Sequence, residues 1–490
     1  MTCILTPLVR YLAFQKGFID CPQRARKVHQ QATPRLGGAA ILISYLTVSA
    51  FAGIFVPQFR EIIWGDNPFA GVVLLGSMGV FVIGFLDDLA RLSPKVKLLG
   101  EFLIVGLVVW CADLSVSSIQ FLGLGTIEFP EWIGFGMSCL WIVGMANAIN
   151  LIDGLDGLAS GITLAGLAAV SVVGYLAGIT GVTLLSTLLI GCLLGFLVYN
   201  SRPASIFLGD CGSLTIGYLA GCLTLLASFR GEGLIDGIFP VVAFALPILD
   251  CVFAIIRRMM RGRSPFSPDM EHFHHRLMSK GLSHGKAVLA MWGAAFSCSL
   301  VAIAAAFGKG DQLFAVFVFF GMGGFVLLRY LGYFRFEFFG QSFSSIIEDR
   351  KNIRSSEQCI KEAEGMLNDL ENLNELPLVL EKVAQGMQFH EATISFYHEN
   401  GELGCKIDSN ENSIGRQISW KETENKGFYS RDREFVAEFP IGGRRFNYGK
   451  IMYRFIDQRD KLEVHDEVLL ERIHDGLSVF AAKVRKNQLN

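Results

Sequence analysis

Five aspartates pose the first chemical question. Asp87 and Asp88 close an apolar run, Asp153 and Asp156 stand in "NAINLIDGLDGLASG", and Asp210 stands in "FLGDCGS". A carboxylate at mid-bilayer costs roughly 2.5–3.5 kcal/mol on insertion scales, so acids beside lipid-like runs are usually paired or functional. A solvated helix end accounts for one such residue but poorly for five. Carboxylates brought together repel unless a cation sits among them, and oxygen donors without thiolates suit Mg²⁺ or Mn²⁺. Glycines flank these acids in "DGLDG" and "GDCGS". Backbone N–H groups at a helix start favour anions such as phosphate. Glycine also packs membrane helices, so its pairing with Asp is what points to a site.

A second set is basic. His272, His274 and His275 lie in "RGRSPFSPDMEHFHHRL", within a loop rich in Lys and Arg. Zinc is one reading, but no cysteine accompanies them and HxHH is not a dependable zinc spacing. Phosphate binding by His and Arg fits better. Lys95 and Lys97, beside the Asp87-Asp88 pair, read the same way, with topogenic charge as the plainer role. Together these groups suit a metal-dependent reaction on a polyphosphate, which is mostly positioning and charge neutralisation.

The elements that position them are long apolar runs. Residues up to about 335 are rich in Gly, Leu, Ile, Val and Phe, whereas the remainder is charged and mixed. Uncharged runs at 36–56, 69–86 and 287–307 reach the ~20 residues needed to cross the hydrocarbon layer. Runs at 98–112, 132–149, 213–229, 234–256 and 313–328 fit with a charge near one end. The run 158–199 is too long for one span, and Gly178-Ile-Thr-Gly181 is a hairpin signal inside it. That predicts ten spans. An eleventh at 1–14, interrupted by Pro7 and Arg10, reads as the tail of a helix whose beginning is missing.

Charge sorts the connections. Loops 15–35, 87–97, 150–157, 200–212 and 257–286 carry sixteen Lys and Arg, against three in the alternate loops. The positive-inside rule then places the first set in the cytoplasm. Every unusual polar cluster falls on that same face. A formal net charge of −2 with no contiguous basic surface excludes nucleic-acid binding. The 11 cysteines show no CxxC pair and lie mostly in apolar runs, so no disulfide framework is expected. An ion-coupled transporter would place its carboxylates near the midplane, often in inverted repeats, and no repeat is visible. A membrane-anchored sensor would have featureless spans.

Over residues 5–335 the chain resembles the polyprenyl-phosphate N-acetylhexosamine-1-phosphate transferase superfamily, the glycosyltransferase 4 group. The stretches that carry the resemblance are "RKVHQQATPRLGG", "GFLDDLARLSPKVKLLGE", "NAINLIDGLDGLASG", "NSRPASIFLGDCGSLTIG" and "SPFSPDMEHFHHRL". The last, with Asp250 in "PILDCVFAIIRR", looks like the branch that uses UDP-N-acetylglucosamine. The phospho-MurNAc-pentapeptide transferase branch, the alternative, has three consecutive histidines followed by Phe-Glu, absent here.

The resemblance implies transfer of a sugar 1-phosphate from a UDP-N-acetylhexosamine to undecaprenyl phosphate, with release of UMP. This would be the first membrane step of a cell-surface polysaccharide such as O-antigen, in a bacterial inner membrane. It implies a catalytic set of Asp87, which deprotonates or orients the lipid phosphate, with Asp88 and Asp153. Asp210 and Asp88 are the implied metal ligands. Asn150 would lie near the diphosphate, and Asp156, Asn200 and Phe207 would form the uridine pocket, Phe207 stacking on uracil. His272, His274, His275 and Lys97 complete the implied substrate contacts.

The expected fold is an all-α polytopic bundle at 1–335, a linker or helix at 336–360 and a small α+β unit at 361–490. In the tail, a helical pattern at 346–387 precedes strand-like runs "ATISFYH", "REFVAEFPIGG" and "GKIMYRFID" and a last amphipathic helix at about 464–485. This order resembles a GAF domain, which implies a regulatory or dimerising role and a homodimer.

Overall fold

The computed structural model describes residues 1–20, 33–64, 69–90, 92–121, 125–229, 239–260, 264–265, 271–307, 321, 329, 343–370, 375–387, 389, 391–396, 417–421, 434–442, 447–456, 469–470 and 472–481. The chain divides into two compact units. One comprises Met1–Ile256 with Glu271–Phe336, the other Arg257–Met270 with Glu337–Asn490.

The first unit is helical. Its helices are α1 (Thr2–Lys16), α2 (Gly37–Phe55), α3 (Pro57–Trp64), α4 (Phe69–Ala90), α5 (Pro94–Cys111) and α6 (Glu131–Ile152). They continue with α7 (Leu158–Leu176), α8 (Thr180–Asn200), α9 (Asp210–Phe229), α10 (Phe239–Ala243), α11 (Ala245–Met260), α12 (Phe273–Ser279) and α13 (His284–Phe307). Two antiparallel pairs join them: β1 (Ile19–Asp20) with β2 (Thr33–Pro34), and β3 (Ser118–Phe121) with β4 (Gly125–Glu128).

Among the described residues, seven helices are long and apolar enough to cross a membrane: α2, α4, α6, α7, α8, α9 and α13. Large apolar side chains point outward, as at Leu75, Leu103 and Val198, which are 68%, 67% and 66% exposed. Such a surface is stable only against hydrocarbon, and the chain is a multi-pass membrane protein. The hairpin expected inside 158–199 lies between α7 and α8, with Gly178 at φ 72°.

Other spans differ from expectation. The run 234–256 is not one helix, because Pro247 has no N–H to donate to Ala243, and α10 and α11 part there. Helix α5 starts four residues early, since Ser93 accepts the Val96 N–H at 3.4 Å and Pro94 takes the first turn. Lys95 and Lys97 are therefore helical. The run 313–328 lies outside the described residues.

Helix α9 is the axis of the bundle, buried from Cys211 to Ser228 and packed by α2, α4, α6, α7 and α8. Lipid tails give helices no hydrophobic drive to associate, so small residues and close backbone approach hold them together. At the α4–α9 crossing, a Cβ on Gly84 would lie 2.5 Å from the Asp210 carbonyl. Only glycine permits that approach. Two hydroxyls of α9 donate within the helix, Thr215 to the Cys211 carbonyl at 2.6 Å and Thr224 to the Ala220 carbonyl at 2.9 Å, while Tyr218 reaches across to the Val73 carbonyl of α4 at 3.1 Å.

In the second unit, α14 (Phe343–Asp369) and α15 (Leu376–Met387) accompany a four-stranded antiparallel sheet. Its strands are β5 (Glu391–Phe396), β6 (Gln417–Lys421), β7 (Glu434–Gly442) and β8 (Asn447–Ile456), in the order β6-β5-β8-β7. Residues 343–360 belong to α14, so the described part of the stretch expected as linker or helix is helical. Strand β6 had no clear pattern, while β5, β7 and β8 fall on the expected runs. The core joins Val379, Leu380 and Val383 of α15 to Ile394, Ile451 and Phe455 of the sheet, with Leu469, Leu470, Ile473 and Leu477 from the helical residues 469–470 and 472–481.

Candidate active site

The N-terminus of α9 is the point on which four segments converge. Asp88, in the last turn of α4, accepts the backbone N–H of Asp210 through Oδ1 at 3.1 Å and that of Cys211 through Oδ2 at 3.0 Å. It therefore caps α9 from another helix, satisfying two of the orphan donors that every helix start exposes. Gly84, one turn earlier in α4, brings the two helices close enough for this. Both its oxygens hold backbone amides, so its expected part as a metal ligand would use the lone pairs left over on those oxygens.

Asp87, its neighbour, faces a different partner. Its Oδ2 and the Oδ2 of Asp210 each accept a hydrogen bond from Lys97 Nζ at 2.8 Å, and its Oδ1 takes the Leu92 N–H at 2.8 Å. The ammonium is thus the cation between two carboxylates. Side-chain exposure is 12% for Lys97 and 14% for Asp87, but 39% for Asp210, which opens toward solvent. Asn150 donates to the Ser213 hydroxyl at 3.0 Å, bringing α6 to the same turn of α9. Deeper in the bundle, Asn147 bonds the buried Glu101, a pair the sequence did not single out.

Asp153 follows α6 directly. Burial, then the Asp210 carboxylate, push its carboxyl up to about 7, against a smaller downward pull from Arg35.

The residues expected around a nucleoside adjoin one another. Asp156 Oδ2 accepts the Ala204 N–H at 3.2 Å. Asn200 is buried, donating to the Ile206 carbonyl at 3.0 Å and accepting the Ser160 hydroxyl at 3.3 Å. Its side chain thereby shapes the 201–206 turn. Phe207 forms an isolated parallel bridge with Arg35, its N–H donating to the Pro34 carbonyl at 2.8 Å. The "TPRLGG" and "FLGD" motifs are therefore joined through their backbones.

The histidines divide by role. Asp250 of α11 grips the loop, Oδ2 lying 3.0 Å from His272 Nδ1 and Oδ1 accepting the Phe273 N–H at 2.9 Å. His274 is 1% exposed, and neither ring nitrogen has a hydrogen-bond partner among the described residues. Burial, then the neighbouring His275, push its imidazole down to about 2, so it stays neutral. The ring lies over "DGLDG": a Cβ on Gly154 would stand 2.4 Å from its Nε2. His275 packs against it, ring centroids 4.2 Å apart. Proximity of these segments was foreseeable from their motifs, but the anchoring by Asp250 required the fold. So did His284, whose Nε2 accepts the Asp156 N–H at 3.2 Å.

Among the described residues no three His, Cys, Asp or Glu side chains form a metal cage. Mg²⁺ does not need one, since it is usually held by one or two carboxylates, waters and substrate phosphates. Asp210, open on one side, and Asp153 are oxygen donors of that kind, with Asp88 beside them at the α9 N-terminus. The residues fit the ion.

Known proteins resemble this chain over the helical unit. Residues 70–228, which contain Asp87, Lys97, Asn150, Asp153, Asp156, Asn200, Phe207 and Asp210, match the family described as Glycosyl transferase family 4. A probable undecaprenyl-phosphate N-acetylglucosaminyl 1-phosphate transferase of Bacillus subtilis is 38% identical over 302 residues, 61% of this chain and 80% of that protein. A decaprenyl-phosphate N-acetylglucosaminephosphotransferase of Mycolicibacterium smegmatis is 36% identical over 312 residues, 60% and 76% of the two chains. A phospho-N-acetylmuramoyl-pentapeptide-transferase of Halalkalibacterium halodurans is 29% identical over 323 residues, 62% and 93%. With these identities and coverage, the chain belongs to glycosyl transferase family 4.

Proposed function

We propose that this protein transfers N-acetylglucosamine 1-phosphate from UDP-N-acetylglucosamine to undecaprenyl phosphate, releasing UMP, as the first membrane step of a cell-surface polysaccharide. The observation that carries the reading is the charge cluster at the α9 N-terminus, where one lysine spans Asp87 and Asp210 inside a lipid-facing bundle. A lipid phosphate and a nucleotide diphosphate repel one another, and a fixed ammonium in a low-dielectric site offsets that repulsion. The pairing of 38% and 36% identity to N-acetylglucosamine transferases with 29% to a pentapeptide transferase favours the former substrate.

In this reading an oxygen of the lipid phosphate attacks the sugar-bearing phosphorus, the bond from that phosphorus to the bridging oxygen breaks, and UMP leaves with the electron pair. Asp87 orients the attacking phosphate and takes its remaining proton. Lys97 balances charge on the diphosphate, joined by His275. Asp156 and Phe207 hold uridine, while Asp88, Asn200 and His272 fix the backbone around it. Mg²⁺, with Mn²⁺ as a substitute, would be held by Asp210 and Asp153 and would neutralise charge on the diphosphate.

The excess of Lys and Arg in the loops that carry these motifs supports a cytoplasmic site in a bacterial inner membrane. The C-terminal unit suits a regulatory or dimerising GAF-like module, giving a homodimer. The reading is tested by incubating purified protein with Mg²⁺, undecaprenyl phosphate and each UDP-N-acetylhexosamine. Turnover fastest with UDP-N-acetylglucosamine supports it, and no turnover with any of them refutes it.

A further inference from the structure

Asp156 is held from two directions. Its carboxylate receives the Ala204 N–H, tying it to the 201–206 turn. Its own backbone N–H donates to Nε2 of His284, the first residue of α13, at 3.2 Å. That N–H precedes α7 and has no helical carbonyl to bond, so the imidazole supplies the acceptor that local structure lacks. Immediately afterwards Gly157, at φ 73°, turns the chain into α7. A ring nitrogen that accepts an N–H carries no proton, so His284 has its hydrogen on Nδ1. None of the five motifs contains this histidine, and 128 residues separate it from Asp156.

We propose that His284 is a positioning residue for the nucleotide donor: its Nε2 fixes the Asp156 loop and thereby sets affinity for the UDP-sugar without touching it. The inference rests on Asp156 being a nucleoside contact. Replacing a histidine that merely packed the start of α13 would affect folding, or lower kcat and shift both KM values together. A positioning acceptor acts on one substrate alone and is replaceable by another acceptor of the same reach.

The test is steady-state kinetics on the full chain with both substrates varied. His284→Phe raises KM for UDP-N-acetylglucosamine about fivefold, the worth of one hydrogen bond, with kcat and KM for undecaprenyl phosphate changed less than about twofold. His284→Gln, whose Oε1 accepts the same N–H, returns that KM to within about twofold of the parent. An unchanged KM in His284→Phe, or an equal rise in His284→Gln, overturns the proposal. Calorimetric titration with UMP reads the same site without turnover. If the parent binds UMP but transfers no sugar, the transferase reading fails while the ratio of affinities still decides the role of His284. A parent that binds no UMP overturns both.

Discussion

His274 in the bundle and His474 in the C-terminal unit are both buried, 1% and 7% exposed. Burial holds both neutral, pushing His274 down to about 2 and His474 to about 3. Their surroundings differ. His474 has its Nε2 3.1 Å from the Tyr453 hydroxyl and its ring 4.5 Å from that of Phe439, so partner and stacking are complete within the unit. His274 has neither nitrogen paired among the described residues and lies against the backbone of Gly154. An unsatisfied buried polar group costs about 1–3 kcal/mol. A core histidine resolves that cost within the fold, whereas one beside a site leaves it for a ligand or a loop movement to resolve.

The sharpest break of this comparison comes from the acidic cluster beside His274. Asp210→Asn removes a carboxylate that pairs with Lys97 and faces the metal position. UMP release should fall by at least about 10²-fold with the bundle still folded, whereas near-parental rates would remove Asp210 from the site. The histidines come next. His274→Phe should lower UMP release by roughly 10²-fold without loss of thermal stability, because no hydrogen bond is lost. His474→Phe should do the reverse, leaving the Tyr453 hydroxyl unpaired and costing the C-terminal unit about 1–3 kcal/mol. Hydrogen exchange across β8 and residues 472–481 in the full chain reads that loss.

Acid sharpens the contrast further. With His474 depressed to about 3, the unfolded chain binds more protons than the folded one between that value and about 6.5. Stability is full above about pH 6.5 and falls toward pH 3. At pH 5 the C-terminal unit should have lost about 2 kcal/mol, a loss absent from His474→Phe. The smallest effect belongs to a surface pair: Arg472 bonds Glu364 through two nitrogens at a partly exposed position. Glu364→Ala should cost less than about 1 kcal/mol by the same exchange measurement.

Much of this was legible because lipid imposes a strict pattern. Helices α2, α4, α7, α8, α9 and α13 follow apolar runs, and the five polar motifs mark where those helices end. Short elements were not legible. Helix α3 and the β3–β4 hairpin lack a long period, and the break between α10 and α11 depends on a single proline. Within the site, composition pointed to the acids but not to their division of labour. Asp87 and Asp88 are adjacent and chemically identical. One caps α9 and the other pairs with Lys97, a distinction set by the crossing at Gly84. Asp250 and His284 act from α11 and α13 through contacts that no local spacing records.

The central claim is a phosphoryl transfer in which the sugar keeps its phosphate. Nucleotide and lipid products from UDP-N-acetylglucosamine and undecaprenyl phosphate should be identified together by mass spectrometry from one reaction. Equal amounts of UMP and a diphosphate-linked N-acetylglucosaminyl lipid are predicted. Release of UDP with a monophosphate-linked sugar would contradict the account, as would the absence of any lipid-linked sugar.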